Sequence, residues 1–224
     1  MHTILSPCAD ELMTPNNILN MAMLKGLDFI AITDHNSTKQ LKVISQLQES
    51  FDFVIIPGVE VSVAEGFDVL CYFKTFEDAL EFDSFLSPHL CGEWGNYKPD
   101  DQIITDIYDL TFDTVATPLT KTNLQFEDLA KEVRKYDGLI IPAHINRPSC
   151  TPLGTYNLED MNIDAIEIAP YGKEAFMEAH PEVHKYITFH NSDSHSLLMI
   201  SEQEFSIELP EKTIEAFFNY VRGE

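Results

Sequence analysis

Histidines and carboxylates stand at the ends of several short apolar runs in this chain. Asp34 and His35 follow AspPheIleAlaIleThr, Glu60 follows PheValIleIle, His144 ends LeuIleIleProAla, and Asp193 and His195 follow TyrIleThrPhe. Imidazole nitrogens and carboxylate oxygens form a mixed ligand set suited to Zn, Mn or Fe, and none of it requires Cys. A carboxylate such as Glu60 can bridge two cations, and paired cations activate a water and clamp the oxygens of a phosphoryl group. The chemistry of such a set is hydrolysis. A lone His at a strand end more often caps a loop than binds a metal, so the metal reading rests on the whole set converging.

Convergence depends on the elements that carry these residues. From Thr14 onward the chain alternates helices with short apolar strands, the pattern of an α/β fold. Thr14 and Pro15 open a helix that stops at Gly26, with the cap, first-turn Pro and terminal Gly that helices favour. Strands are expected at 28–33, 53–56, 67–73, 139–143, 165–168, 186–189 and 204–208, and further helices at 39–49, 76–86, 126–136 and 212–221. The stretch 87–122 carries Gly, Pro, Asn and Asp without a sustained period; it reads as an insertion with one short hairpin and a candidate lid. Both β/α barrels and doubly wound sheets place their chemistry at the C-terminal strand ends, where these polar residues fall.

A chain of 224 residues, 44% hydrophobic, supplies one substantial core, so a single domain over 1–224 is expected. Fourteen Lys and Arg stand against 37 Asp and Glu, a formal charge of -23. That excess repels a phosphate backbone, so duplex nucleic acid is not expected as a partner. Cys8, Cys71, Cys91 and Cys150 make no CxxC pair, which argues against both a thiolate zinc site and a disulfide scaffold and fits a reducing cytoplasm. Cys8 is read as a small buried residue in a tight loop. No apolar run reaches the length of a membrane span and no signal peptide is visible, so a membrane partner is not expected.

Five segments, in order, resemble the motifs of the PHP (polymerase and histidinol phosphatase) superfamily of metal-dependent phosphoesterases. MetHisThr at the start is similar to the end of its His-x-His motif, and ThrAspHisAsn at 33–36 to the second motif. ProGlyValGluValSer at 57–62, ProAlaHis at 142–144 and AsnSerAspSerHis at 191–195 resemble the remaining three. The resemblance covers nearly the whole chain. It implies a distorted, TIM-like, seven-stranded β/α barrel. The first His of the His-x-His pair is absent, so the first strand is expected to be truncated.

The resemblance also implies ligand roles for His2, His35, Glu60, His144, Asp193 and His195 around two or three divalent ions, Zn, Mn or Fe. Asp10 is a further candidate from its place five residues before Pro15. So is Asp68, which stands where members commonly have a His. Arg147, three residues after His144, is the candidate cation for phosphoryl oxygens, with Lys39 behind it, and His195 is the other candidate catalytic side chain. The expected activity is hydrolysis of a phosphate monoester of a small metabolite or nucleotide by a metal-activated water, with a small phosphorylated substrate as partner. Two alternatives stand beside it. The first is a catalytically impaired module with a binding or assembly role; the second is a metal-dependent amidohydrolase, a class with a Lys bridging metals at a strand end, where Lys74 directly follows a strand but with no motif around it. Glu167 is read as a structural or supporting residue, and His190 as a surface or core histidine that lies close enough to Asp193 to be a supporting one instead.

Overall fold

The computed structural model describes residues 1–224. Helix α1 (Pro15–Leu24) buries Ile18, Leu19 and Ala22 and starts at Thr14, whose side chain makes no cap bond to its own helix. Instead the Thr14 hydroxyl donates to Asp109 Oδ2 (2.6 Å), and Asp109 Oδ1 accepts the Asn16 amide (3.2 Å). A carboxylate from the inserted region thus caps the helix, the place where an acid is favoured.

Strand β1 (Phe29–Ile32) runs parallel to the first half of β2 (Val54–Ser62), with Phe29 opposite Val54 and Ile32 opposite Pro57; α2 (Leu41–Leu47) connects them. The apolar run at 53–56 is only the start of β2, which continues through the ProGlyValGlu segment. The reason is a change of partner: Gly58–Ser62 pair antiparallel with β3 (Asp68–Tyr72). Gly58 permits the switch, because a Cβ there would lie 2.8 Å from Tyr72 Cδ1 and 2.9 Å from the Cys71 carbonyl oxygen. Register pairs Glu60 with Leu70 and Ser62 with Asp68. With a side-chain period of two, Glu60, Asp68 and Leu70 share one face of the sheet.

Helix α3 (Phe76–Leu86) is capped by Thr75, which accepts the Asp78 amide. The inserted region forms one hairpin, β4 (Ile103–Thr105) with β5 (Thr111–Thr114), as the turn residues imply. After α4 (Phe126–Lys135), β6 (Leu139–Pro142) pairs antiparallel with β3. Strand β7 (Ile166–Glu167), helix α5 (Lys173–Ala179), strand β8 (Thr188–Phe189) and helix α6 (Ile214–Arg222) complete the chain. Residues on one side of the large sheet, such as Val59, Val61, Val69 and Ile140, join α1, α3 and α4 in one core. Leu70, Tyr72 and Ile141 join α6 through Phe217 and Phe218 in another.

The expected TIM-like barrel is corrected in part. The strands form sheets of four (β1-β2-β3-β6), two (β4-β5) and two (β7-β8) members, and none closes. Antiparallel β3 interrupts the parallel βα order. β7 and β8 hold only two residues each, and 204–208, where Glu204 and Phe205 are exposed, forms no strand. Two backbone bonds, Asp164 N–H to Ile140 O and Ile145 N–H to Glu167 O, still hold β7 beside β6. No helix is long and apolar enough to cross a membrane.

Candidate metal centre

The loop after β1 and the start of the chain are locked together by Asp34. This buried carboxylate accepts the Thr3 amide (2.6 Å), the Thr3 hydroxyl (2.7 Å) and the Ser6 hydroxyl (2.7 Å). Three donors satisfy a carboxylate that burial would otherwise penalise. His2 is thereby fixed beside His35, whose own amide donates to Ser6 Oγ (3.0 Å). Backbone bonds from Glu60 to Asp34 O and from Asn36 to Glu60 O tie the end of β1 to β2. Three positions of the centre lie in the left-handed region, Asn36 (φ 52°), His144 (φ 32°) and Asp193 (φ 47°). Such strain is sustained only where surrounding contacts over-determine the backbone, commonly at working sites.

His2 Nε2 lies 3.1 Å from Glu60 Oε2 and 3.1 Å from Asp193 Oδ1. The other oxygen of Glu60 lies 3.1 Å from His144 Nε2, and Asp68 Oδ2 is 3.7 Å from the same nitrogen. The His2 ring stacks on His35 at 4.4 Å and on His195 at 4.3 Å between centroids. Donor atoms fall into three groups, each within 4.8 Å: His2, His35 and His195; His2, Glu60 and Asp193; and Asp68, His144 and Cys150. His2 belongs to two of them and Glu60 sits between His2 and His144, so the groups form one continuous centre.

Charge is unevenly spread over it. Burial pushes the Glu60 carboxyl up, but the hydrogen bonds from His144 and His2 outweigh it and hold the group well below its usual range. Burial also opposes ionisation of Asp193, yet the bond from His2 keeps it a carboxylate. Burial pulls His2 and His144 down; bonds to Asp193 and Glu60 raise His2 to about 9, and bonds to Cys150 and Glu60 raise His144 to about 11. Burial and the charge of His2 drive His35 down to about 3 and lower His195. Burial and the nearby Glu60 raise Asp68. This donor set fits divalent cations: neutral imidazoles and ionised carboxylates are the ligand forms, and a cation between His2 and Glu60 would replace the proton that now holds them together.

The structure therefore brings together His2, His35, Glu60, Asp68, His144, Asp193 and His195. Asp10 stands apart, exposed, with Oδ1 accepting the Leu12 amide (2.8 Å) and its own amide donating to His195 O (2.8 Å). Arg147 is on the rim, its Nη2 2.8 Å from Asp193 Oδ2. Lys39 pairs with Asp83 and Lys74 with Asp137 and Glu215, so neither joins the centre. Glu167 accepts the His144 amide (2.9 Å) and the Asn191 amide group (2.7 Å), orienting two motif loops at once. His190 faces Ile168 O. Sequence reasoning missed Cys150, whose Sγ lies 3.3 Å from His144 Nδ1; only the turns that follow His144 reveal it. A cavity of about 700 Å³ runs from Glu60, Asn191 and Asp193 to Phe205, Ile207 and Lys212.

No family model matches the chain. An uncharacterized protein from Methanocaldococcus jannaschii is 24% identical over 159 residues, which cover 71% of this chain and 67% of that one. Among solved structures, the lesion-specific endonuclease Q from Pyrococcus furiosus superposes on 100% of this chain with a TM-score of 0.68 at 21% identity. An endonuclease Q complex with a 27-mer duplex bearing an abasic lesion at the active site gives 0.69 at 20% identity over 99% of the chain. The chain spans about half the length of these endonucleases, 54% and 55%. An amidohydrolase from Chromobacterium violaceum (TM-score 0.63, 15% identity, 98% of this chain and 94% of that one) shares the fold. So does a two-domain Bacteroides vulgatus protein containing a predicted PHP-like metal-dependent phosphoesterase (0.58, 15% identity, 99% and 60%).

The fold is thus shared with a PHP-like metal-dependent phosphoesterase, in keeping with the superfamily that the five motifs resemble. All of these solved neighbours are, by name, hydrolases. One expectation falls: net charge does not exclude duplex nucleic acid and leave only a small phosphorylated substrate, because a protein of this same fold is seen holding a duplex. A summed charge says nothing of where charges lie, and cations in the centre would reverse its local sign.

Proposed function

We propose that this chain is a metal-dependent phosphoesterase and that its substrate is a phosphodiester within a nucleic-acid strand. The observation that carries the reading is the convergence of four imidazoles and three carboxylates, delivered by separate segments, within three adjoining donor groups, two of which share His2 while Glu60 contacts His144 of the third. His2, His35, His195, Glu60, Asp68, His144 and Asp193 would hold the cations, with Glu60 placed to bridge. When bound, such ions activate a water and neutralise charge on phosphoryl oxygens. Arg147 is 45% exposed at its side chain while bound to Asp193, which leaves guanidinium donors free on the rim for a phosphoryl oxygen. His195 has Nδ1 engaged by the Asp193 carbonyl oxygen (2.8 Å), which fixes its ring and leaves Nε2 to ligate or take a proton. Endonuclease Q, alike along the entire chain, supports the nucleic-acid substrate.

The test is cleavage of labelled duplex and single-stranded oligonucleotides, with and without an abasic site, in Mn, Zn or Mg. Metal-dependent cleavage abolished by chelator is the expected result. Cleavage of amide panels but of no phosphodiester would move the assignment to the amidohydrolases.

A further inference from the structure

Two tight turns follow His144. The Arg147 amide donates to His144 O (2.9 Å) and the Cys150 amide to Arg147 O (3.1 Å). Together they fold the AsnArgProSerCys segment back over the imidazole that starts it. Cys150 Sγ then lies 3.3 Å from His144 Nδ1, and the Ser149 hydroxyl donates to the same sulfur at 3.9 Å. Zn–S and Zn–N bonds of about 2.3 and 2.0 Å meeting at a tetrahedral angle place sulfur and nitrogen about 3.5 Å apart. The observed separation is near that edge, so a shared ion needs little movement of either group. Asp68 completes a set whose donor atoms all lie within 4.8 Å, while His144 Nε2 remains on Glu60 at 3.1 Å. A ligating imidazole commonly has its second nitrogen held by a carboxylate in this way.

We infer that Cys150 is a thiolate ligand of one cation of the centre, together with Asp68 and His144. The inference rests on the metal-centre reading and adds to it. As the metal binds, the Cys150 thiol proton and the Nδ1 proton of His144 both leave to solvent, while Nε2–H stays on Glu60. The three protein donors leave a fourth tetrahedral position open, the arrangement of a catalytic rather than a purely structural site. A sulfur donor shifts this position toward Zn, Fe or Cd and away from Mg or Mn. The remaining cysteines do not compete: Cys71 is buried, Cys91 is exposed, and Cys8 belongs to none of the three donor groups.

The experiment is reconstitution of the chelator-stripped full chain with Co(II) under anaerobic conditions, following absorbance and bound metal together. The wild type should show a near-ultraviolet thiolate-to-cobalt charge-transfer band beside the visible bands. Cys150→Ser should lose the first, keep the second, and retain Cd more weakly by at least about tenfold, the loss expected from removing even a partner one shell further out. Cys8→Ser should keep the band. Cobalt bound to the wild type without that band overturns the inference and leaves the metal centre standing, and this outcome needs no variant to fold. A band that survives in Cys150→Ser also overturns it. No bound cobalt at all would sink the metal centre and the inference with it.

Discussion

Within the centre, two histidines take up protons on folding and two give them up. Below about 6.5, the ordinary value for His, the unfolded chain binds protons on all four rings. The native site keeps those of His2 and His144 but not, down to about 3, that of His35, and it binds the proton of His195 less readily. Stability contributed by these groups therefore rises with pH in that range. Above it the unfolded rings are neutral while His2, raised to about 9, and His144, raised to about 11, stay protonated, so stability falls as pH climbs. The metal-free protein is expected to show its highest Tm near pH 6.5; a Tm in chelator that climbs steadily to about pH 9 contradicts this. Arg147→Ala should lower kcat by roughly 10²-fold, the scale of losing one charge-stabilising donor, with metal content unchanged. Loss of metal in that variant would mean that Arg147 serves Asp193 and not the substrate. The converging side chains on motif segments were legible because their types recur at strand ends. Asp10 was misplaced because its loop turns the carboxylate onto Leu12 N–H, a local turn that spacing does not encode.

Gly58 is the point at which β2 exchanges β1 for β3, and both Glu60 and Asp68 depend on it. Gly58→Ala would press a Cβ onto Tyr72 and the Cys71 carbonyl oxygen, costing about 1–3 kcal/mol as overpacked sites do. Because the Cys71 oxygen is backbone, relief has to come from the strands themselves, so the variant should also bind less metal. A stability loss with metal content intact would separate the sheet from the centre. Helices α1, α3, α4 and α6 were legible within a few residues from capping and apolar spacing. The partner switch in β2 was not, since a ProGly pair reads as a strand end, and α5, which has no buried residue, left no periodic signal. The seven-strand count was not met at 204–208, where alternation was legible but the segment is largely exposed and forms no strand.

At the scale of the whole molecule the charge of -23 bears on how a nucleic acid would approach. Basic nucleic-acid binders gain affinity by counterion release and lose it steeply between about 50 and 200 mM salt. With 14 basic residues against 37 acidic ones, this chain should show a KM for oligonucleotide that stays level or falls over that range. A steep rise in KM with salt would reveal a basic track that the summed charge hides. The sequence made the PHP fold readable because its five motifs keep their order, whereas partner choice was obscured by reading a distributed quantity as a local one. The central claim, that the converged side chains are a metal centre, is tested most directly by anomalous diffraction from crystals grown with Zn or Mn. At least two peaks about 3.5–4 Å apart are expected, one among His2, His35 and His195 and one beside Glu60 and His144. An ion-free map with these side chains still paired to one another would contradict the account.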